Sequence, residues 1–265
     1  MATNQSLERG IAILDLLDGH PVQIGIREMA RTLALSPAIV QRLANTLVQA
    51  GYVEQVPETR RYRLGYRSLL LGAAMRRDDR LMATASGELQ RLADDHRLNG
   101  YLGVLRDGNV IYLHCAQSSG PIAVRMMPGT RCNPHSTAMG KALLAELPPE
   151  GVALVVGAPP FERFTANTIT DPAGLAEELA TIRRQGFAFA REENLPGVIS
   201  IGTVIRNMTG KAIVAISVAF LCSERGEAEW PRITQMVLDA AHRCSQSLGH
   251  AGALSRVPEP KLDAA

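Results

Sequence analysis

Gln41, Arg42, Asn45, Thr46 and Gln49 fall on one face of a helix by their spacing, and none of them is a carboxylate. Amides, a guanidinium and a hydroxyl can approach a polyanion without repelling it. Downstream come Arg60, Arg61 and Arg63, of which Arg61 and Arg63 are two apart and share one side of a strand. Between Ser36 and Arg67 five arginines stand against two glutamates, the local clustering expected of a small nucleic-acid module.

A second candidate lies in "PHSTAMGKALLA", Pro134 to Ala145. A Gly-Lys pair at a helix start suggests a nucleotide-binding loop, but G-x-x-x-x-G-K-[ST] requires glycine at His135 and serine or threonine at Ala142. It fails at both. What survives is the start of a helix over Ser136 to Glu146, whose free amides and positive dipole end suit a carboxylate.

Other reactive residues point away from catalysis. Glu192 and Glu193 are adjacent, so they face opposite sides of a strand or lie solvated in a loop. His20, His96, His114, His135, His242 and His250 lack metal-ligand spacing, His135 reads as structural, and no G-x-S-x-G elbow occurs. Cys115, Cys132, Cys222 and Cys244 are scattered, which implies neither a zinc site nor a disulfide framework but four buried, reduced thiols. These absences favour a binding protein over an enzyme, with no cofactor or metal.

The elements that must position these residues follow from periodicity. Ile11, Leu14 and Leu17 mark a first helix ending near Gly19-His20-Pro21, and Ile26, Met29, Ala30 and Leu33 a second. After the short link Ala34-Leu35, Ser36 can cap a third helix and Pro37 fits its first position. Val40, Leu43, Ala44, Leu47 and Val48 supply its inner stripe. Gly51 ends it, and Tyr52 to Val56 and Arg61 to Leu64 read as two strands around Pro57-Glu58-Thr59-Arg60. This order is that of a helix-turn-helix followed by a wing. Residues 66 to 96 read as helical with a break at Asp78-Asp79-Arg80. Strands are expected over Gly100 to Leu105 and Asn109 to Gln117 around an Asp107-Gly108 turn, then over Ile122 to Met127, Phe187 to Ala190, Ile199 to Ile205 and Ala212 to Phe220. Further helices are expected over Ala173 to Gln185 and Glu227 to Leu248. The mixture argues for an α+β domain with a mainly antiparallel sheet.

Two domains suit 265 residues with 46% apolar content. The net charge of +2 is uninformative by itself, but residues 1–80 carry eleven arginines against eight acids whereas 81–265 carry seventeen bases against eighteen acids. No apolar run approaches the roughly 20 residues of a membrane helix, and "MATNQSLERG" lacks the basic and apolar regions of a signal peptide, so a cytoplasmic protein is expected.

"SLERGIAILDLL", "VQRLANTLVQAGYVEQVPETRRYRLG", "PHSTAMGKALLA", "TANTITDPAGLAEELATIRRQGFAFAREENLPGVISIGTVIRN" and "AIVAISVAF" together resemble, in order from about Ser6 to Gly249, the IclR family of bacterial transcriptional regulators. The resemblance implies a winged helix-turn-helix DNA-binding domain over 4–65, a linker and dimerisation helix over 66–80, a GAF-like α/β effector-binding domain over 81–250, and a disordered tail over 251–265. It also implies a double-stranded DNA operator, a small carboxylate effector and a homodimer or homotetramer. The alternative is a GAF-like signalling or catalytic protein that uses its helix-turn-helix for protein interaction.

Departures from the family pattern sharpen both sites. Many members carry lysine, serine and threonine where this chain has Pro37, Ala38 and Ile39, so base reading shifts towards Gln41, Arg42 and Asn45. Arginine can bond guanine, and glutamine or asparagine adenine, in the major groove; Arg42 can equally clamp a phosphate. Arg60, Arg61 and Arg63 can enter a minor groove or lie along phosphates. In the effector domain the resemblance places the ligand's acid group at Ala138 and Met139. Ala190, Ser200, Ser217 and Ala219 stand where later strands meet the ligand, and Met126, Cys132 and Val198 form an apolar wall. Members that bind small oxoacids often have aspartate at Ala190, cysteine at Ser200 and serine at Ala219. Two of these changes remove a polar partner, which favours a larger, more apolar acid such as an aromatic one. Ser200 and Ser217 can also be strand serines bonded to backbone. Repression is the preferred direction of control.

Overall fold

The computed structural model describes residues 3–20, 22–77, 80–118 and 125–252. It divides into two units, one ending at Asp79 and one beginning at Arg80.

The first unit contains α1 (Gln5–Asp18), α2 (Ile26–Thr32), α3 (Pro37–Gln49), the antiparallel strands β1 (Val53–Gln55) and β2 (Tyr62–Leu64), and α4 (Tyr66–Arg77). The cap expected at Ser36 is present, and Asn4 adds one on α1. Asn4 Oδ1 accepts from the Ser6 and Leu7 amides, and Ser36 Oγ accepts from Ile39 N at 3.4 Å with Pro37 in the first turn. Ala34, at φ 52°, reverses the chain between α2 and α3, and Gly51, at φ 79°, releases it from α3. Ile13, Leu17, Ile24, Met29, Val40, Ala44, Val53 and Tyr62 form the core. Two expected core positions are corrected. Ile11 is 48% exposed because Ile13 and Leu17, one helical turn apart, carry the buried stripe of α1, and Val48 sits at the exposed edge of α3.

The second unit wraps helices around one sheet. Its elements are α5 (Arg80–His96), β3 (Asn99–Arg106), β4 (Asn109–Ala116), β5 (Arg131–Cys132), α6 (Ala138–Leu144), α7 (Pro149–Val156), α8 (Pro172–Gln185), β6 (Ala188–Arg191), β7 (Val198–Arg206), β8 (Ala212–Leu221) and, after a single 3-10 turn, α9 (Trp230–Ser247). Every strand pair is antiparallel, in the order β5-β4-β3-β8-β7-β6. The fold is α+β. One core joins α5 and α9 to Leu102, Ile199, Ile201, Ile216, Val218 and Phe220. A second cluster places α6 against α8, with Ala138, Leu144, Phe161, Leu175, Leu179 and Ala190.

Several expected elements change. Of the strand expected over Ile122 to Met127, residues 122–124 lie outside the described residues and 125–127 are unpaired; β5 pairs with β4 instead. The helix expected over Ser136 to Glu146 is shorter, because Thr137 Oγ1 caps it at Gly140 N. α7 was missed: "PEGVALVV" has the Val content of a strand and buries no residue, but Pro148 and Pro149 start it as a helix. The break expected at 78–79 and the tail from residue 253 lie outside the described residues. Among the described residues no helix is long and apolar enough to cross a membrane.

The glycine of the Gly-Lys pair has a packing role. A Cβ at Gly140 would lie 2.3 Å from Pro134 O, a backbone atom that cannot step aside. Gly140→Ala is therefore expected to destabilise the second unit by about 1–3 kcal/mol, read in urea by the fluorescence of Trp230, the single tryptophan. Unchanged stability would mean that the Pro134 turn yields freely.

Candidate functional sites

On α3, Gln41, Arg42 and Asn45 are exposed on the same face, and Pro37 and Ala38 are exposed at its start. The amides are not independent. Gln41 Nε2 donates to Asn45 Oδ1 at 2.8 Å and to the Tyr62 hydroxyl at 2.9 Å. Among the described residues Arg42 forms no ion pair; only its carbonyl is engaged, by Thr46 Oγ1 at 3.1 Å.

The wing arginines differ from one another, which sequence spacing could not show. Arg61 leaves the hairpin: its Nε donates to Gln23 O at 2.7 Å and its Nη2 to Glu28 Oε2 at 2.6 Å, on α2. Arg63 is held by Glu54 Oε2, at 3.0 and 3.2 Å, from its cross-strand partner. Arg60, at φ 58° in the turn, has its carbonyl bonded by Gln55 Nε2 and no carboxylate on its guanidinium among the described residues. Arg61 and Arg63 must exchange a partner to reach DNA, at small cost for such exposed pairs.

In the second unit a cavity opens between the sheet and the start of α6. It is lined by Met126, Ala138, Met139, Ala190, Val198, Ser200, Ser217 and Ala219, the residues grouped from the sequence, and its enclosed space is about 40 Å³. Cys132 lies just behind this lining. It packs with the same apolar cluster, 4.0 Å from Thr137 Oγ1, and bonds the Tyr112 hydroxyl. Ser200 and Ser217 face each other's strands across β7 and β8, and among the described residues neither hydroxyl has a hydrogen-bond partner. That contradicts a purely structural role bonded to backbone.

The sequence reading missed Tyr101, Tyr112, Thr137, Asn194 and Leu195, which complete the lining. The Tyr101 and Tyr112 rings stand 5.3 Å apart at 50° and form an aromatic wall. Burial pushes both phenols above their ordinary range, and burial also raises the Cys132 thiol. All three remain neutral at physiological pH and so bring no negative charge to the cavity.

Thiol burial is less uniform than expected: Cys244 is buried, Cys115 and Cys132 are half-buried and Cys222 is exposed, all unpaired. Burial pushes the Cys115 thiol up to about 11 and Cys244 up to about 12. Among the described residues no cluster of His, Cys, Asp or Glu could hold a metal. His135 is packed between Phe161 and Phe164, and its Nε2 lies 2.9 Å from Glu162 O.

The expectation of solvated Glu192 and Glu193 is overturned. Glu193 is buried, and its carboxylate takes the fully buried Lys141 ammonium at 2.8 and 2.9 Å, while Glu178 Oε1 takes the same ammonium at 2.7 Å. Burial pushes the Glu193 carboxyl up, and Lys141 opposes that shift. Glu192, at φ 57°, accepts from Gly197 N at 2.7 Å and so closes the turn between β6 and β7. Ser136 Oγ donates to Asn194 Oδ1 at 3.0 Å, and Thr165 and Thr168 bond the carbonyls of Glu192 and Glu193 at 2.6 Å each. The loop that brings Asn194 and Leu195 to the cavity is thus fixed from three directions.

A winged helix-turn-helix in one chain with an α+β unit holding a cavity at the start of α6 is the build of a DNA-binding transcription regulator. Residues 6–57 match the IclR helix-turn-helix domain and residues 74–246 the bacterial transcriptional regulator IclR C-terminal domain, and the chain belongs to the IclR family. It is 32% identical to the HTH-type transcriptional regulator BhcR of Paracoccus denitrificans over 91% of this chain and 86% of that one. A solved IclR regulator from Alicyclobacillus acidocaldarius matches with TM-score 0.84 at 25% identity, covering 94% of this chain and all of the other. An IclR homolog from Microbacterium hydrocarbonoxydans, solved in complex with 4-hydroxybenzoate, shares the fold with TM-score 0.79 at 23% identity, over 92% and 99% of the two chains. The named relatives are transcription regulators, not enzymes.

The Lys141 cluster makes a direct prediction. Lys141→Met leaves two carboxylates around an apolar side chain and is expected to cost about 3–5 kcal/mol, whereas adding Glu193→Leu should recover part of that loss. Urea unfolding followed by Trp230 fluorescence checks both; a Lys141→Met variant as stable as wild type would contradict the ion-pair description.

Proposed function

We propose that the chain is an operator-binding repressor that is released from DNA by a larger, apolar organic acid, aromatic in kind, and that acts as a homodimer or homotetramer in the cytoplasm. The observation that carries the effector class is the cavity wall: the Tyr101–Tyr112 pair with Met126, Met139, Leu195 and Val198, and no charged side chain in the lining. Unengaged hydroxyls of Ser200 and Ser217 supply donors for a carboxylate. The Microbacterium homolog's complex with 4-hydroxybenzoate supports this choice.

On the DNA side, Gln41 and Asn45 read base edges, Arg42 and Arg60 are the first to reach phosphate or base, Arg61 and Arg63 follow once their carboxylates are exchanged, and Pro37 and Ala38 border the groove. The apolar residues exposed on α4, Tyr66, Leu69, Leu70 and Leu71, suit burial against a second subunit. A two-fold dimer should then prefer a pseudo-palindromic operator.

Two measurements test this reading. Thermal shift with benzoate-type acids, pyruvate and glyoxylate is expected to stabilise the second unit with the aromatic acids only; stabilisation by pyruvate alone sinks the effector class. Gel shift with DNA from upstream of the gene should show release by the stabilising acid. Arg42→Ala should weaken binding by roughly tenfold and lower the salt slope by about one. Absence of DNA binding even at low salt would reject the regulator reading of the operator side.

A further inference from the structure

We infer that Tyr62, a buried residue of the wing, sets the base preference of the recognition helix by locking Gln41 and Asn45 into one unit that selects adenine over guanine. The inference rests on the proposal that α3 reads bases through those two side chains. Tyr62 is 1% exposed and immobile for identifiable reasons: its backbone exchanges bonds of 2.9 and 3.0 Å with Ile24, it pairs with Gln55 in the hairpin, and its ring belongs to the core of the first unit. Its hydroxyl is therefore a fixed point under α3.

Gln41 Nε2 carries two protons. One goes to the Tyr62 hydroxyl at 2.9 Å and the other to Asn45 Oδ1 at 2.8 Å. What the pair can still present is an acceptor on Gln41, Oε1, and donors on Asn45, the two protons of Nδ2. A free glutamine turns its amide over to suit whichever base it meets. Anchored at Tyr62, Gln41 turns over only if the hydroxyl donates instead and Asn45 turns with it, which again leaves an acceptor on one side chain and donors on the other. Adenine offers N7 as acceptor and its N6 amino group as donor, the complement of this pair, whereas guanine offers two acceptors, N7 and O6. Against guanine, Gln41 Oε1 faces O6 with no proton between them. The wing thus acts on specificity from inside the protein, without itself touching the base.

Tyr62→Phe keeps the ring in the core and frees one Nε2 proton, which guanine O6 can accept. Sites selected from a fully randomised duplex pool by the full-length wild-type protein should contain, in each half-site, one position where adenine outcompetes guanine about tenfold or more. Tyr62→Phe should bring that preference to within about twofold while leaving the other positions, the non-specific affinity and the salt slope unchanged, a pattern that general destabilisation does not produce. Gln41→Ala and Asn45→Ala control for the premise. If neither alters any base preference, the base-reading proposal fails; if both do and Tyr62→Phe does not, the role of Tyr62 alone is overturned. A second readout does not depend on how the variant folds: in the unliganded wild type, the Gln41 side-chain NH2 protons should exchange with water markedly more slowly than those of Gln49. Equal exchange would contradict the lock.

Discussion

The second unit depends on one buried cation. Lys141 is fully enclosed, and its ammonium is shared by Glu193 and Glu178 at 2.7 to 2.9 Å. Taking such a charge from water costs several kcal/mol before any partner is counted, so it persists only where geometry and hydrogen bonding are good. Here they are: three donors meet three carboxylate oxygens, and Glu193 also accepts from Arg191 N at 3.1 Å. The consequence is spatial. Lys141 stands on α6, Glu178 on α8 and Glu193 at the turn after β6, so one ammonium ties together two helices and the loop that carries Asn194 and Leu195 to the cavity. An apolar trio could fill the same volume, but it would not fix the loop's register.

The first unit is organised by hydrogen-bonded polar side chains rather than by a buried charge. Two of its arginines stay near neutralising carboxylates, Arg61 with Glu28 and Arg63 with Glu54, while Arg42 and Arg60 have none among the described residues. A surface ion pair is worth ~0–1 kcal/mol and is easily exchanged for a phosphate. In the proposed mode of operator binding the unpaired arginines lead in non-specific attraction, and the tethered amides of α3 provide discrimination. The two tasks fall on different residue types because charge acts at range whereas an amide must be aimed.

Much of the architecture was legible because local chemistry and tertiary packing agree. Ser36-Pro37, Gly51 and the Asp107-Gly108 turn each impose their structure within a few residues, and β7 and β8 are long runs rich in Val and Ile. α7 was not legible, since a helix that buries no residue leaves no apolar stripe to detect. Eight of the nine residues grouped as a ligand site do line one cavity. Tyr101 and Tyr112 carried a recoverable signal: with the turn placed, pairing β3 against β4 brings them close, although the register shift between Leu102 and Gly103 alters the pairing by one. Lys141 and Glu193 are fifty-two residues apart, and no local pattern distinguishes the buried Glu193 from its half-buried neighbour Glu192. Nor could spacing show that Arg61 turns away to α2, because that depends on where Glu28 lies in the fold.

If the acid and the operator act on one equilibrium, their effects must be reciprocal, whatever route connects them. The direct test is calorimetric: the dissociation constant of the aromatic acid that stabilises the protein best, measured with and without saturating operator duplex. Operator is expected to weaken acid binding by the same factor by which acid weakens operator binding, a factor on the order of 5–150. Acid bound equally well in the presence and absence of operator would contradict control of DNA binding through this cavity.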